Sequence, residues 1–189
     1  DVHGTGERVI GGTTWHTDVS CDAEPPMASI LHLTTVPEVG GDTLFASMYA
    51  AYEALSDTMK AILAPLMAVH TGEGYHGRYE VIGGAQRREY ESTAHPIVRT
   101  HPVTGRKAIF VNAPFTDHIV GMKRPESDAL LNFLYAHSVQ PNFQCRFKWQ
   151  KNSIAFWDNR CALHHATWDY YPQTRSGIRV TIKGDKPFQ

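Results

Sequence analysis

Ala28-Ser29-Ile30-Leu31-His32-Leu33-Thr34-Thr35 is the stretch on which the fold turns. Apolar and β-branched residues fill it, no glycine interrupts it, and Pro37 lies just beyond. It reads as a largely buried strand. Working outward, the same signature recurs in short pieces. Gly40-Gly41-Asp42 is a turn, followed by the run Thr43-Leu44-Phe45. Lys107 to Asn112 follows the Thr104-Gly105 turn as another buried strand. Cys145 to Gln150 alternates through Arg146, Phe147, Lys148 and Trp149, the pattern of a half-exposed strand. Ser153 to Asp158 and Arg179 to Lys183 complete the set.

Helical periodicity is rarer. Ser47 to Leu55 and Thr58 to Leu66 fit helices, with Ser56 as an N-cap between them. Pro125 to His137 is the clearest helix: Pro125 suits a first turn, and Leu130, Leu131, Leu134 and His137 share one face. Residues 70 to 94 are rich in Gly, Tyr, Arg and Glu without periodicity and read as a long mobile loop or lid. Many short strands with a few peripheral helices predict a mainly β domain, a sandwich or jelly roll, spanning residues 1–189.

Bulk composition bounds the function. A chain of 189 residues suits one domain. With 42% hydrophobic and 20% charged residues it is an ordinary globular sequence. A net charge of −1 argues against a nucleic-acid partner, which usually demands a basic excess. No apolar run is long enough to span a bilayer, and the start carries no signal-peptide pattern, so no membrane partner is expected. Cys21, Cys145 and Cys161 are scattered and odd in number; that is not a disulfide framework and favours a cytoplasmic location. The aromatics Trp149, Trp168, Tyr170 and Tyr171 suit either a subunit interface or the core, and a homo-oligomer is expected.

The chemistry begins at Trp15-His16-Thr17-Asp18. In extended chain, residues i and i+2 project to one side, so the His16 imidazole and the Asp18 carboxylate can meet one cation. A reactive metal needs a third anchor. His164, ending Asn159-Arg160-Cys161-Ala162-Leu163-His164, supplies it if distant parts of the sheet meet. Two histidines and one carboxylate leave half of an octahedron open, as oxygen activation at iron(II) requires. A lone His-x-Asp is frequent by chance, and His164 and His165 also fit a core or a surface. Arg175 and Arg179, four apart, both reach one face of an extended strand. Turned inward they demand anions; turned outward they are merely solvated. The pattern alone leaves both open.

Taken together, Trp15-His16-Thr17-Asp18, Gly40-Gly41-Asp42-Thr43, Trp157-Asp158-Asn159-Arg160 through His164, Arg175, Arg179 and Gly184-Asp185-Lys186-Pro187 resemble the taurine dioxygenase family. These iron(II)/2-oxoglutarate dioxygenases also include herbicide phenoxyacetate dioxygenases and alkylsulfatases. The resemblance runs in order through nearly the whole chain. It implies a double-stranded β-helix (jelly roll). It implies Fe(II) on His16, Asp18 and His164, with O2 and 2-oxoglutarate as cosubstrates. Arg175 and Thr43 would hold the far carboxylate of 2-oxoglutarate. Arg179 would hold the anionic group of a small organic substrate, with Val19 and Phe115 lining its pocket; plain core packing is an equal reading of Phe115. The implied reaction hydroxylates the carbon beside that anionic group, and taurine or a related alkylsulfonate would yield sulfite and an aldehyde. Alkyl sulfate esters or aryloxyacetates are the alternative substrates. A non-catalytic jelly-roll metal-binding protein is the alternative from another class, and the paired arginines argue against it. A hydrolase lacks a nucleophile motif such as G-x-S-x-G.

The sequence also departs from the family. It opens at Asp1 with only 15 residues before His16, so a domain lacking part of its N-terminal region is expected. The His and Tyr that taurine dioxygenase directs at its substrate from that region have no counterpart here. Gly12 stands where the family has an Asn that contacts the cosubstrate, and the stretch from His70 to Pro96 is short.

Overall fold

The computed structural model describes residues 14–73 and 92–189. Gly12, and residues 74–91 of the expected lid, lie outside the described residues.

The opening stretch forms strand β1 (Ala28–Thr35) as expected. Strands β2 (Thr43–Ser47), β3 (Met67–His70), β4 (Thr93–Pro96), β5 (Val98–Thr100), β6 (Lys107–Ile109), β7 (Thr116–Ile119), β8 (Gln144–Phe147), β9 (Ile154–Asp158), β10 (Ala162–Ala166) and β11 (Ser176–Ile182) follow. β1 is central in a sheet of order β11-β1-β9, and β2 is central in a second of order β10-β2-β8. β3 lies between β4 and β7, and β5 pairs with β6. All these pairings are antiparallel. The protein is mainly β with few helices, and among the described residues no helix is long and apolar enough to cross a membrane.

Among the described residues, helices α1 (Met48–Glu53), α2 (Asp57–Leu63) and α3 (Arg124–Ser138) pack at the periphery. Ser47 caps α1 by accepting the Ala50 N–H at 3.3 Å, and Ser56 caps α2 through Met59 at 3.2 Å, as its position predicts. α3 begins one residue before Pro125, and its core-facing stripe is Ser127, Leu131, Leu134 and Ser138 rather than the expected set. His137 sits beside that stripe and hydrogen-bonds the Ala51 carbonyl through Nε2 at 2.7 Å.

Several boundaries differ from the sequence reading, each for a local reason. α2 stops at Leu63, three residues early, because Met67 to His70 is needed as the central strand β3. The run from Lys107 leaves its ladder after Ile109. Phe110 N–H adds one last cross-strand bond to Ile97 O at 2.7 Å, in line with the ladder, and Asn112 N–H then bonds Thr116 Oγ1 at 3.0 Å as the chain enters a turn. β8 ends at Phe147, and Trp149 turns inward to 9% exposure; it belongs to the core and not to a surface.

Two apolar clusters hold the layers. The larger joins Ala46, Met48, Leu63, Val98, Leu131 and Leu134 among others. Burying each leucine contributes about 1.5–3 kcal/mol. The smaller, Leu33, Trp149, Ala155 and Trp157 with Phe45 and Phe147 against it, lies between the β1 and β2 sheets. The opposite face of the β1 sheet is apolar and open, with Ile154, Phe156, Ile178 and Val180 all exposed. A buried charge network ties down the C-terminal stretch. Arg99 donates to Asp185 at 3.0 Å, Arg160 reaches Asp185 at 3.7 Å, and Arg160 bonds Asp158 at 2.7 Å.

Candidate active site

His16 and His164 meet before any ligand is considered. Their backbones form an isolated antiparallel bridge, with N–H···O distances of 3.1 and 2.8 Å in the two directions. His164 pairs with Phe45 of β2 on its other side, so this bridge adds the His16 segment to the free edge of β10 and sets the two rings 4.1 Å apart, centroid to centroid. The segment then turns, and Asp18 brings Oδ1 to 4.0 Å from His16 Nε2 and 3.8 Å from His164 Nε2. The ligand atoms of all three residues lie within 4.8 Å of one another, and all three residues are buried. The separations are too long for hydrogen bonds and leave room for a cation between them.

Each ligand is oriented from behind. Nδ1 of His16 donates to Thr14 O at 2.7 Å, which leaves the Nε2 lone pair facing Asp18. The His164 ring is walled by Trp157 at 4.9 Å and Phe45 at 6.3 Å. Oδ2 of Asp18 accepts from Ser29 Oγ at 2.6 Å and from Asn159 Nδ2 at 3.3 Å. Asn159 is itself fixed: its Oδ1 accepts the Trp157 indole N–H at 2.9 Å, and its carbonyl accepts Thr17 Oγ1 at 2.7 Å. Burial lowers both imidazoles, holding His164 at about 3, so both are neutral at physiological pH. Burial alone would raise the Asp18 carboxyl; His164, Arg179 and the Ser29 hydroxyl outweigh it and keep it below the usual carboxylate range. Two neutral imidazoles and one buried carboxylate are the protonation state a divalent cation needs.

The two arginines take different positions. Arg175, just before β11, turns inward: Nη2 donates to Thr43 Oγ1 at 3.1 Å, and the guanidinium lies 5.3 Å over the Trp149 ring. Burial pulls its pKa below the ordinary guanidinium value. Its Nε is buried with no hydrogen-bond partner among the described residues. Arg179 lies within β11 and stays 47% exposed, yet Nη1 reaches Asp18 Oδ1 at 3.2 Å. Only one of the pair is therefore inward in the sense the spacing suggests, because β11 is an open strand exposed on both faces.

The residues expected to line the pocket are both close in the chain to this centre or tied to it. Val19 follows Asp18 directly and has φ of 43°, a strained conformation for a β-branched residue. Phe115 is fully buried yet lies outside both apolar clusters. Its turn is tied to the Asp18 segment, since Asn112 Nδ2 donates to Ser20 Oγ at 2.9 Å. Ser20 also bonds Nδ1 of buried His70 at 3.0 Å.

The sequence reading gave no role in the site to Ser29, Asn159, Trp157, Phe45 or Trp149. Asn159 and Trp157 lay in a quoted motif, but nothing in a linear pattern says that they face Asp18 and His164. A second group, His101, Asp158 and Cys161, also brings ligand-type atoms within 4.8 Å. Both nitrogens of His101 are engaged there, Nε2 with Asp158 at 3.1 Å and Nδ1 accepting Val103 and Thr104 N–H at 3.3 and 3.2 Å. That group braces the segment carrying Asn159 and His164.

Known proteins share this arrangement of sequence. A relative from Schizosaccharomyces pombe is 46% identical over 175 residues, which is 92% of this chain and 45% of that protein. The "Alpha-ketoglutarate-dependent sulfonate dioxygenase" of Saccharomyces cerevisiae is 37% identical over 177 residues, 93% of this chain and 43% of that protein. The chain thus spans less than half the length of these two curated relatives. Among solved structures, a taurine dioxygenase from Burkholderia xenovorans is 38% identical with a TM-score of 0.81, covering 96% of this chain and 62% of that one. A family model matches residues 2–181, and the chain belongs to the family it describes, "Taurine catabolism dioxygenase TauD, TfdA family".

Proposed function

We propose that this domain is an iron(II)- and 2-oxoglutarate-dependent dioxygenase acting on a small anionic substrate, an alkylsulfonate of the taurine type above all. The observation that carries the reading is the meeting of the His16, Asp18 and His164 ligand atoms within 4.8 Å. The Arg175–Thr43 contact at 3.1 Å adds an inward cation with no carboxylate in contact among the described residues. On this reading the two facing sheets are the halves of a jelly roll, and His16, Asp18 and His164 would hold the metal between them.

The donor set fits the group. Iron(II) takes neutral imidazole and carboxylate ligands, and three protein ligands leave positions for a chelating 2-oxo acid and for oxygen. When bound, the metal supplies the oxidation, coupled to decarboxylation of 2-oxoglutarate to succinate. The chain does the rest. His16 and His164 stay neutral through burial and offer Nε2. Ser29 and Asn159 hold the far oxygen of Asp18, so Oδ1 is the one presented. Arg175 and Thr43 receive the distal carboxylate of 2-oxoglutarate. Arg179 pairs with the substrate anion, and Val19 and Phe115 shape the space beside it. Trp157 and Phe45 keep water from the His164 side. Positioning of this kind is where the protein contributes to rate.

Alkyl sulfate esters and aryloxyacetates would present a similar anion to Arg179, so the anion site alone does not separate them from sulfonates. A non-catalytic metal store is disfavoured by Arg175, which such a protein has no need to bury. The test is succinate release with iron(II), 2-oxoglutarate and a panel of taurine, an alkyl sulfate and a phenoxyacetate under air. Sulfite from taurine supports the reading, whereas full turnover by His16→Ala would refute the metal assignment.

A further inference from the structure

We propose that Trp149 is a positioning residue for the 2-oxo acid: it makes the Thr43 hydroxyl an obligatory hydrogen-bond donor and carries the Arg175 guanidinium on its ring. This deepens the dioxygenase reading and rests on it.

The inference begins with the hydroxyl's capacity. A threonine hydroxyl has two acceptor lone pairs and one proton. Oγ1 of Thr43 already accepts two N–H groups, the Trp149 indole at 3.0 Å and Arg175 Nη2 at 3.1 Å. Both lone pairs are thereby used, and the proton is left to donate to something else. Next to it, Arg175 Nε is buried with no partner among the described residues. Two donors on contacting side chains are therefore left without an acceptor among the described residues, and the ligand they fit is a carboxylate.

Trp149 is built for that place. In the β2–β8 ladder Thr43 pairs with Phe147. The chain leaves the ladder there and delivers Trp149 two residues on, beside Thr43. The indole packs edge-to-face on Phe147 at 4.8 Å and 74° and retains only 9% exposure. Its face lies 5.3 Å from the Arg175 guanidinium carbon. At such a distance the ring quadrupole attracts the cation and fixes its plane. One side chain thus sets the hydrogen-bond polarity of Thr43 and the orientation of Arg175. Leucine or methionine would offer the same place an apolar side chain and do neither.

The experiment is an anaerobic calorimetric titration of the iron(II)-loaded protein with 2-oxoglutarate, and in parallel with pyruvate, which lacks the distal carboxylate. Trp149→Phe keeps the ring and removes the N–H. Its 2-oxoglutarate Kd is expected to rise about 3- to 10-fold, the effect of one hydrogen bond. Pyruvate binding should stay unchanged, and kcat at saturating 2-oxoglutarate should stay within about two-fold. Trp149→Leu, lacking ring and N–H, should show a larger rise for 2-oxoglutarate alone. In a Thr43→Val background, Trp149→Phe should add little, because its acceptor is already gone. Equal weakening of 2-oxoglutarate and pyruvate would reveal a merely structural role and overturn the proposal, as would unchanged binding of both. If the unsubstituted protein binds iron(II) but not 2-oxoglutarate, the dioxygenase reading itself falls, and this proposal with it.

Discussion

Arg179 donates from Nη1 to Oδ1 of Asp18 at 3.2 Å, and this is the same oxygen that faces both imidazoles. The guanidinium and a metal ion are therefore rivals for one atom. On the proposed function, a cation on Oδ1 would weaken the hold on Arg179 and free it for an anionic substrate. Arg179→Gln removes that charged donor from a half-exposed position. The KM for an anionic substrate is expected to rise about 10- to 100-fold, the loss of one charge-assisted hydrogen bond. Metal should bind more tightly to the variant, since a positive charge beside Asp18 is gone. Saturation kinetics and a metal titration check the two halves. An unchanged KM across the substrate panel would remove Arg179 from substrate binding.

Ser29 offers a cleaner handle on the metal. Its hydroxyl donates to Asp18 Oδ2 at 2.6 Å, and the side chain is wholly buried. Ser29→Ala leaves the carboxylate one restraint short, with Asn159 at 3.3 Å as the remaining donor to Oδ2. Metal affinity should fall about 10-fold or more, the usual effect of losing such an outer contact. Because the Trp157 ring lies 4.9 Å from that of His164, tryptophan fluorescence should report the titration. Equal affinities for Ser29→Ala and the unsubstituted protein would show that Asn159 alone is sufficient.

How much of this was legible in the sequence depends on which residues are asked. β1, β9 and the cap Ser56 follow from local chemistry, because apolar runs and hydroxyl N-caps are short-range signals. β3, β4 and β7 were missed for a physical reason. They bury polar residues, His70, His95 and Thr116, in hydrogen-bonded positions, and so carry no clean apolar pattern. The triad was readable as residue types and in the family resemblance. Its closure was not, since a backbone bridge between His16 and His164 joins distant parts of the chain. Trp149 was misread for the same reason: alternation after Cys145 suggests a continuing strand, whereas β8 ends at Phe147 and the indole turns to Thr43.

Acid should destabilise the fold through His70. Burial holds this imidazole at about 3, against an ordinary value of 6.5. The folded state keeps it neutral, whereas the unfolded chain takes up a proton below about 6.5. Between these values the unfolded state binds more protons, so stability rises with pH and is lost as pH falls from about 6.5 towards 3. The slope from this one group approaches about 1.4 kcal/mol per pH unit in that window. His95, also lowered by burial, adds to it in the same direction. Urea unfolding at pH 7.5, 6 and 5 should show the decline. His70→Asn should be less stable at pH 7.5 and show a shallower slope. An identical slope in the variant would assign the acid sensitivity elsewhere.

The last prediction concerns the charges behind the site. Arg99 is 1% exposed, and its anionic contact is Asp185, at 3.0 Å. Asp185→Asn leaves a buried guanidinium without its contacting carboxylate, with only the more distant Asp158 acting on it, and stranding such a charge costs about 3–5 kcal/mol when both partners are deep. Asp185 itself is partly exposed, and water will screen part of the effect, so a smaller loss, about 2–3 kcal/mol, is expected. Arg160 is affected less, because it keeps Asp158 at 2.7 Å after losing Asp185 at 3.7 Å. Replacing both partners, as Arg99→Met with Asp185→Asn, removes the stranded charge together with its partner. The double variant should therefore be no less stable than Asp185→Asn alone, and the two single effects should fail to add. Denaturant titrations of the four proteins decide it. Strict additivity would mean that the pair does not couple across the 3.0 Å contact and that the C-terminal stretch is held by packing alone.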